Sequence, residues 1–171
     1  MVWLIVRSHF CGFIRPDMIW GVNGVGEAPP ELAVGTTESR CVVSWAPQEE
    51  VLAHRAVGGF LTHGGWNSTL ESIFAGVPMI CWPQITYQQV NSRCVSDMLK
   101  IGLDMKDTCD RSTVEKMVRE LMEGNTDEIM KSTLKHVTMA RDSVSEGGSS
   151  HRKVEELIED IRLFALSKNN F

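Results

Sequence analysis

The residues with the clearest chemical potential lie around a glycine pair near the middle of the chain. The apolar segment Gly59–Thr62 runs into His63–Gly65, and Asn67 and Ser68 follow directly. A strand that passes through glycines into the start of a helix leaves free backbone N–H groups at the positive end of the helix dipole. The His63 imidazole adds a further hydrogen-bonding group. This pattern is typical of an anion site, and a phosphate is its natural ligand.

The stretch after the glycine pair predicts a helix over residues 68–75. Ser68–Glu71 fits the S/T-x-x-E capping box, and Gly76 and Pro78 are expected to end the helix. The predicted apolar face consists of Leu70, Ile73 and Phe74. Because a capping box requires a serine and a glutamate for structural reasons alone, Ser68 and Glu71 each have a structural and a ligand-binding interpretation.

A second group of candidates follows the short apolar strand predicted at residues 41–43. Trp45 comes just after this strand, followed by Ala46 and Gln48, and Pro47 opens a short helix that extends to about Ala56. A tryptophan here could be a core residue, or it could be a platform on which a nucleic base stacks.

Three strands alternate with these helices and imply a parallel sheet with helices on both faces. The strands are predicted at residues 41–43, 59–62 and 79–81. Ligands of such sheets bind beyond the carboxyl ends of the strands. Trp45, His63 and the segment 84–88 each follow one of these strands, so the three loops are expected to open on one rim.

The second half of the chain is predicted to be helical. Apolar residues at helical spacing predict one face formed by Val90, Cys94, Val95 and Met98, and another formed by Val114, Met117, Val118, Leu121 and Met122. A polar helix is expected over 127–144. An amphipathic last helix carries Val154, Leu157, Ile158, Ile161 and Phe164, and its apolar side is expected to be exposed.

The 44 residues from Trp45 to Gln88 carry a dense pattern: W-A-P-Q, L-x-H, G-x-F-x-T-H-x-G-W-N-S-x-x-E, G-V-P, and a final Gln. This stretch resembles the signature box of plant family-one UDP-glycosyltransferases. Three further stretches resemble landmarks of that family: Ile14–Asp17, Pro29–Leu32 and Gly147–Ser150. The resemblance implies the C-terminal half of a GT-B fold, an α/β domain with a Rossmann-like parallel sheet, flanking helices and a helical C-terminal region. Residues 1–171 are then expected to form one donor-binding domain.

The resemblance also implies which residues bind the UDP-sugar. They are Trp45, Ala46, Gln48, His63, Gly65, Trp66, Asn67, Ser68, Glu71, Tyr87 and Gln88. By family analogy, Trp45 stacks on uracil, the Ala46 backbone reads the base edge, and Gln48 contacts the ribose.

The remaining roles are carried over in the same way. His63, Asn67 and Ser68 match diphosphate ligands, and Glu71 matches an acid that binds the ribose hydroxyls. The backbone of Trp66 faces the sugar while its ring packs under the loop.

The chain departs from the family pattern in two respects. The family has Asp or Glu before the final Gln of the box, where this chain has Tyr87, so recognition of the sugar hydroxyls by Tyr87 and Gln88 is altered. The acceptor domain of the family, which carries the catalytic histidine, has no counterpart here. The chain is therefore expected to be truncated at its N-terminus, to supply no catalytic residue, and to be inactive alone.

The function expected from the resemblance is inverting transfer of a hexose, glucose first, from a UDP-sugar to a small hydroxylated acceptor such as a terpenoid or flavonoid. No metal and no cofactor are implied. The alternative is a non-catalytic nucleotide-sugar-binding fragment. A dinucleotide oxidoreductase is excluded because no G-x-G-x-x-G turn follows a strand.

Length and composition agree with one ordinary globular domain: 171 residues, 43% hydrophobic and 23% charged. The net charge of −5 gives no reason to expect nucleic acid as a partner. The apolar run near the N-terminus is too short for a membrane span. Five scattered cysteines without a CxxC pair favour a reducing compartment, so a cytoplasmic location is expected.

Overall fold

The computed structural model describes residues 2–6, 9–13, 35–36, 40–43, 45–106, 108–124 and 126–168. The sequence landmarks at Ile14–Asp17 and Pro29–Leu32 lie outside these residues. One seven-stranded sheet has the order β3-β4-β2-β1-β5-β6-β7. Its strands are β1 Val2–Val6, β2 His9–Phe13, β3 Gly35–Thr36, β4 Arg40–Val43, β5 Gly59–Thr62, β6 Met79–Cys81 and β7 Gly102–Asp104.

The sheet is parallel where strands alternate with helices. β5 pairs with β6 and β6 with β7 in parallel, and β2 pairs with β4 in parallel. The sequence did not indicate that β1 runs antiparallel to both β2 and β5, or that β3 runs antiparallel to β4. Two residues separate β1 from β2, which is enough for a hairpin and far too few for a parallel crossover.

Six α-helices and one π-helical turn lie in the described part of the chain. They are α1 Gln48–Leu52, α2 Trp66–Ala75, α3 Thr86–Arg93, the π-helical turn Cys94–Met98, α4 Arg111–Glu123, α5 Asp127–Val144 and α6 Ser149–Lys168. The helix expected over 127–144 has the predicted bounds. Across the described residues, every helix is too short or too polar to span a membrane.

Two apolar layers cover the two faces of the sheet, because successive residues of a strand point to opposite sides. Phe60 and Met79 belong to one cluster, which also contains residues of α1, α2 and the π-helical turn. Ile5 and Ile80 belong to the other, which packs against the predicted apolar face of α4. That prediction for α4 is confirmed.

The predicted apolar face at residues 90–98 is only partly correct. Val95 is fully buried, while Val90 is 68% and Met98 78% exposed. The buried side of this segment is formed by Gln88, Ser92 and Val95, which keep helical spacing. Because two of these residues are polar, the apolar pattern of the sequence indicated the wrong face.

Helix α6 exposes its apolar residues, as expected from the sequence. The exposed set includes Val154, Leu157, Ile158, Ile161 and Phe164. The apolar face predicted for α2 is different in the structure: Leu70 and Phe74 are half exposed, and the buried residues are Thr69, Ser72 and Ile73. The Phe74 ring instead lies 5.6 Å from the Arg141 guanidinium of α5.

Candidate functional site

The carboxyl ends of β4, β5 and β6 lie at the same edge of the sheet. β4 is parallel to β2, and two successive antiparallel pairings across β1 give β5 the same direction as β2. Trp45 follows β4 and His63 follows β5, while the segment 84–88 follows β6. The expectation that these loops share one rim therefore agrees with the topology.

Helix α2 begins at Trp66, two residues before its predicted start. Its N-cap is Gly65, with φ −63° and ψ 142°, and no side chain caps the helix. The predicted capping box at Ser68–Glu71 is therefore wrong, since Ser68 lies in the first turn. A glycine cap leaves the first-turn N–H groups without a side-chain acceptor, which suits them to bind an anion.

The loop between β5 and α2 is held in a defined conformation. Gly64 has φ +74°, a left-handed conformation that glycine adopts without strain. Its carbonyl accepts a hydrogen bond of 2.9 Å from the Asn91 side chain of α3, and its N–H lies 3.4 Å from the Thr62 hydroxyl. Asn91 was not predicted as a site residue, because its partner is 27 residues away in sequence.

His63 lies directly over Gly65. A Cβ atom at position 65 would come within 2.5 Å of His63 Nε2. Burial lowers the pKa of His63 below its ordinary value of 6.5, so the ring is neutral at pH 7. A neutral imidazole can donate one N–H to a phosphate oxygen, and an approaching anion would raise its pKa again.

One predicted site residue, Gln48, contacts two others. The Gln48 amide of α1 donates a hydrogen bond to the Glu71 carboxylate and a second, of 3.1 Å, to the Ser68 hydroxyl. Ser68 and Glu71 lie one turn apart on α2. This contact gives both residues a structural partner without any capping role, and it ties the start of α1 to the first two turns of α2.

Both tryptophans among the predicted site residues are exposed. Trp45 is 75% exposed, which excludes the core interpretation of this residue. Trp66 is about half exposed and Ala46 is half-buried, whereas Asn67, in the first turn of α2, is exposed. An indole held open at the carboxyl end of a strand is available for stacking.

Gln88 organises the segment 84–88 as the start of α3. Its side chain is 5% exposed, and its Oε1 accepts hydrogen bonds from the N–H groups of Gln84 at 2.8 Å and Ile85 at 3.2 Å. Its Nε2 lies 3.5 Å from the hydroxyl of Tyr87, which is itself 56% exposed. Gln88 thus holds the start of α3, and more than half of the Tyr87 surface is accessible.

Within the described ranges, no three His, Cys, Asp or Glu side chains come together as a metal site. His54 lies in the turn between α1 and β5, where its Nδ1 accepts the Ala56 N–H at 3.2 Å.

Comparison with known proteins gives one consistent family. Residues 12–140 match the family described as UDP-glucoronosyl and UDP-glucosyl transferase. Over 155 residues the chain is 56% identical to 7-deoxyloganetic acid glucosyltransferase of Catharanthus roseus. The aligned region covers 91% of this chain and 32% of that protein. It is 54% identical to myricetin 3-O-rhamnoside 1,2-glucosyltransferase UGT709G2 of Crocosmia x crocosmiiflora, covering 92% of this chain and 33% of that protein. The chain spans about a third of the length of these relatives.

Solved structures show the same relationship. Medicago truncatula UGT71G1, complexed with UDP-glucose, has a TM-score of 0.66 and 38% identity over 72% of this chain and 28% of its own. Os79 from O. sativa, in complex with UDP, has a TM-score of 0.67 and 35% identity over 72% of this chain and 28% of its own. The fold is accordingly that of GT-B glycosyltransferases. The chain belongs to the UDP-glucoronosyl and UDP-glucosyl transferase family, among its plant members.

Proposed function

We propose that this chain binds the UDP-sugar donor of a plant UDP-glycosyltransferase. The observation that carries the proposal is the contact of Gln48 with Ser68 and Glu71, next to the glycine-capped start of α2. These side chains come from two helices, and they meet at the edge where ligands of α/β sheets bind.

Each part of the site suits one part of the donor. The first-turn N–H groups at Gly65–Ser68, together with His63, receive the diphosphate. The Glu71 carboxylate accepts hydrogen bonds from the ribose hydroxyls, with Gln48 beside it. The exposed Trp45 ring stacks on the uracil, and the Ala46 backbone contacts the edge of the base.

The reaction we propose for the whole enzyme is inverting transfer of a hexose, glucose first, to a hydroxyl group of a small plant metabolite. The relatives named above act on 7-deoxyloganetic acid and on myricetin 3-O-rhamnoside, as their names state. No metal is part of this proposal, because the N–H groups at the helix start and the His63 imidazole donate hydrogen bonds to the diphosphate.

The stacking role of Trp45 can be tested by calorimetry. Trp45→Ala should weaken UDP binding by about 1–3 kcal/mol, roughly five- to a hundredfold, since base–aromatic stacking is lost. UDP should also bind better than ADP to the unaltered chain, because contacts at the base edge discriminate between bases and stacking does not.

Phe74→Ala is the matched control, because Phe74 is a half-exposed aromatic residue on α2 that contacts Arg141. This variant should bind UDP like the unaltered chain. Equal UDP affinity before and after Trp45→Ala would show that the indole does not contact the base.

Tyr87 can be tested by restoring the acid of the family pattern. A charge-assisted hydrogen bond contributes about 1.5–3 kcal/mol and a neutral one nearer 1, so Tyr87→Asp should raise affinity for UDP-glucose about tenfold. Affinity for UDP should stay unchanged, because this position contacts only the hexose. Titrations of both ligands against both proteins measure the difference.

Tyr87→Asn provides the control, since it has the size of aspartate without the charge. It should gain much less affinity for UDP-glucose than Tyr87→Asp. If UDP and UDP-glucose respond equally to Tyr87→Asp, position 87 does not lie at the sugar.

A further inference from the structure

A groove of about 530 Å³ lies beside the edge strand β7, outside the residues assigned to the donor. It is lined by Pro83, Gln89, Arg93, Ser96, Asp97, Gly102, Leu103, Asp104 and Lys106. Its volume is that of a site for a small molecule. Pro83 directly precedes the segment 84–88, so one wall of the groove continues into the rim described above.

The lining contains two cations that have no acidic partner among the described residues. Neither the Arg93 guanidinium nor the Lys106 ammonium takes part in any of the side-chain hydrogen bonds or ion pairs found there. The two acids of the groove are partly occupied. Asp104 accepts from the Ser92 hydroxyl at 2.6 Å and from the Lys106 N–H at 3.0 Å, and Asp97 accepts from the Ser96 hydroxyl at 2.9 Å.

The fold places these groups together for a physical reason. Gln89, Arg93 and Asp97 are four residues apart, so they follow one side of α3 and of the π-helical turn. The other side of α3 carries Gln88 and Asn91, which hold the rim loops. Lys106 reaches the same groove from the carboxyl end of β7, at the edge of the sheet that also carries the donor site.

We propose that this groove binds the carboxylate of a small hydroxylated carboxylic acid, with Arg93 and Lys106 as its ligands. The planar guanidinium of Arg93 pairs with both oxygens of a carboxylate, and Lys106 adds a point charge. Asp97 has acceptor capacity left for a hydroxyl of the same molecule. The proposal does not rest on the proposed function, because the groove lies outside the residues assigned to the donor.

The apolar part of the lining favours a carboxylate on a carbon skeleton over a free phosphate. The two cations and two acids of the groove sum to no net charge before any ligand binds, so charge alone does not distinguish the two anions. Leu103 and Pro83 supply the apolar surface that a carbon skeleton requires.

The test is titration of the chain with 4-hydroxybenzoate and, separately, with its uncharged methyl ester, monitored by calorimetry. The acid should bind the unaltered chain at least about tenfold more tightly than the ester, the factor expected for a charge-assisted hydrogen bond. Arg93→Gln and Lys106→Gln should each weaken the acid about tenfold and leave the ester unchanged. Equal binding of acid and ester would overturn the proposal.

Two controls test whether the acid binds at a specific site or responds only to the net charge of the chain. Arg55→Gln removes the same charge from an exposed arginine between α1 and β5, and it should leave affinity for the acid within about twofold. An equal loss in Arg55→Gln and Arg93→Gln would overturn the proposal. Inorganic phosphate is titrated in parallel, and tighter binding of phosphate than of the acid, lost in Arg93→Gln, would also overturn it.

UDP binding, measured on the same samples, separates this proposal from the proposed function. Arg93→Gln should keep the UDP affinity of the unaltered chain, because Arg93 lies outside the donor residues. If UDP fails to bind the unaltered chain, the donor assignment falls, while an Arg93-dependent preference for the acid over its ester still supports the carboxylate site.

Discussion

Replacing Ile5 with aspartate should lower the free energy of unfolding by about 4 kcal/mol or more, a large share of the roughly 5–15 kcal/mol that stabilises a typical domain. Ile5 is 1% exposed and belongs to the cluster of Ile80, Met105 and Leu121. Its carbonyl also accepts the Gly58 N–H at 2.8 Å. A carboxylate there loses the apolar contacts and buries a charge among apolar side chains. Denaturant unfolding followed by circular dichroism measures the change.

Ile158→Asp makes the same chemical change on the exposed side of α6 and serves as the control. Surface substitutions usually change stability by no more than about 0.5 kcal/mol, so this variant should unfold near the unaltered chain. If the free energy of unfolding falls no more in Ile5→Asp than in Ile158→Asp, β1 is not part of the folded sheet.

Gly65→Ala should weaken UDP binding by about ten- to a hundredfold, the worth of one strong charge-assisted contact. The backbone at Gly65 is extended, with φ −63° and ψ 142°, which alanine adopts without strain. The expected loss of UDP affinity therefore comes from steric contact of the added methyl group, and not from backbone strain. A methyl group 2.5 Å from His63 Nε2 forces the imidazole away and covers the N–H groups that start α2.

Gly147→Ala is the control for the loss of a glycine. Gly147 has φ +72°, and a methyl group added there would have no atom within 4 Å, so alanine costs some stability without touching the rim. UDP affinity should not change in this variant. If Gly65→Ala binds UDP as tightly as the unaltered chain does, the diphosphate does not lie at the start of α2.

The sequence was sufficient to predict that the candidate loops share one edge of the sheet. Strands 59–62 and 79–81 are short apolar segments bounded by turn residues, and such local signals are read without knowledge of the tertiary structure. Once the strands alternate with helices, the position of Trp45 and His63 at one edge follows from topology.

Side-chain roles that depend on distant partners could not be predicted. Ser68 and Glu71 have the spacing of a capping box, but Gln48, 20 and 23 residues away, engages both of them and Gly65 caps the helix instead. The buried side of α3 was not predicted either, because it carries the polar residues Gln88 and Ser92, which an apolar pattern does not reveal.

The strand β7 was missed for a related reason. Its three residues, Gly102–Asp104, are too few to show alternation, and the first is a glycine. That glycine is required by packing, because a Cβ at Gly102 would clash with the Met79 carbonyl oxygen. Close approach of two strands is visible only in three dimensions.

The position of β1 determines how the sheet can open. Of the described strands, β1 alone pairs with both β2 and β5, and residues 2–6 precede the part of the chain that matches the family. Its release would leave two smaller sheets, β3-β4-β2 and β5-β6-β7, each with a new unpaired edge. The amide protons of β1, together with the amide protons of β2 and β5 that point toward β1, should then exchange with solvent in one cooperative step. Amides between β5 and β6 should be protected longer, because that half keeps its own parallel ladder and both helical layers.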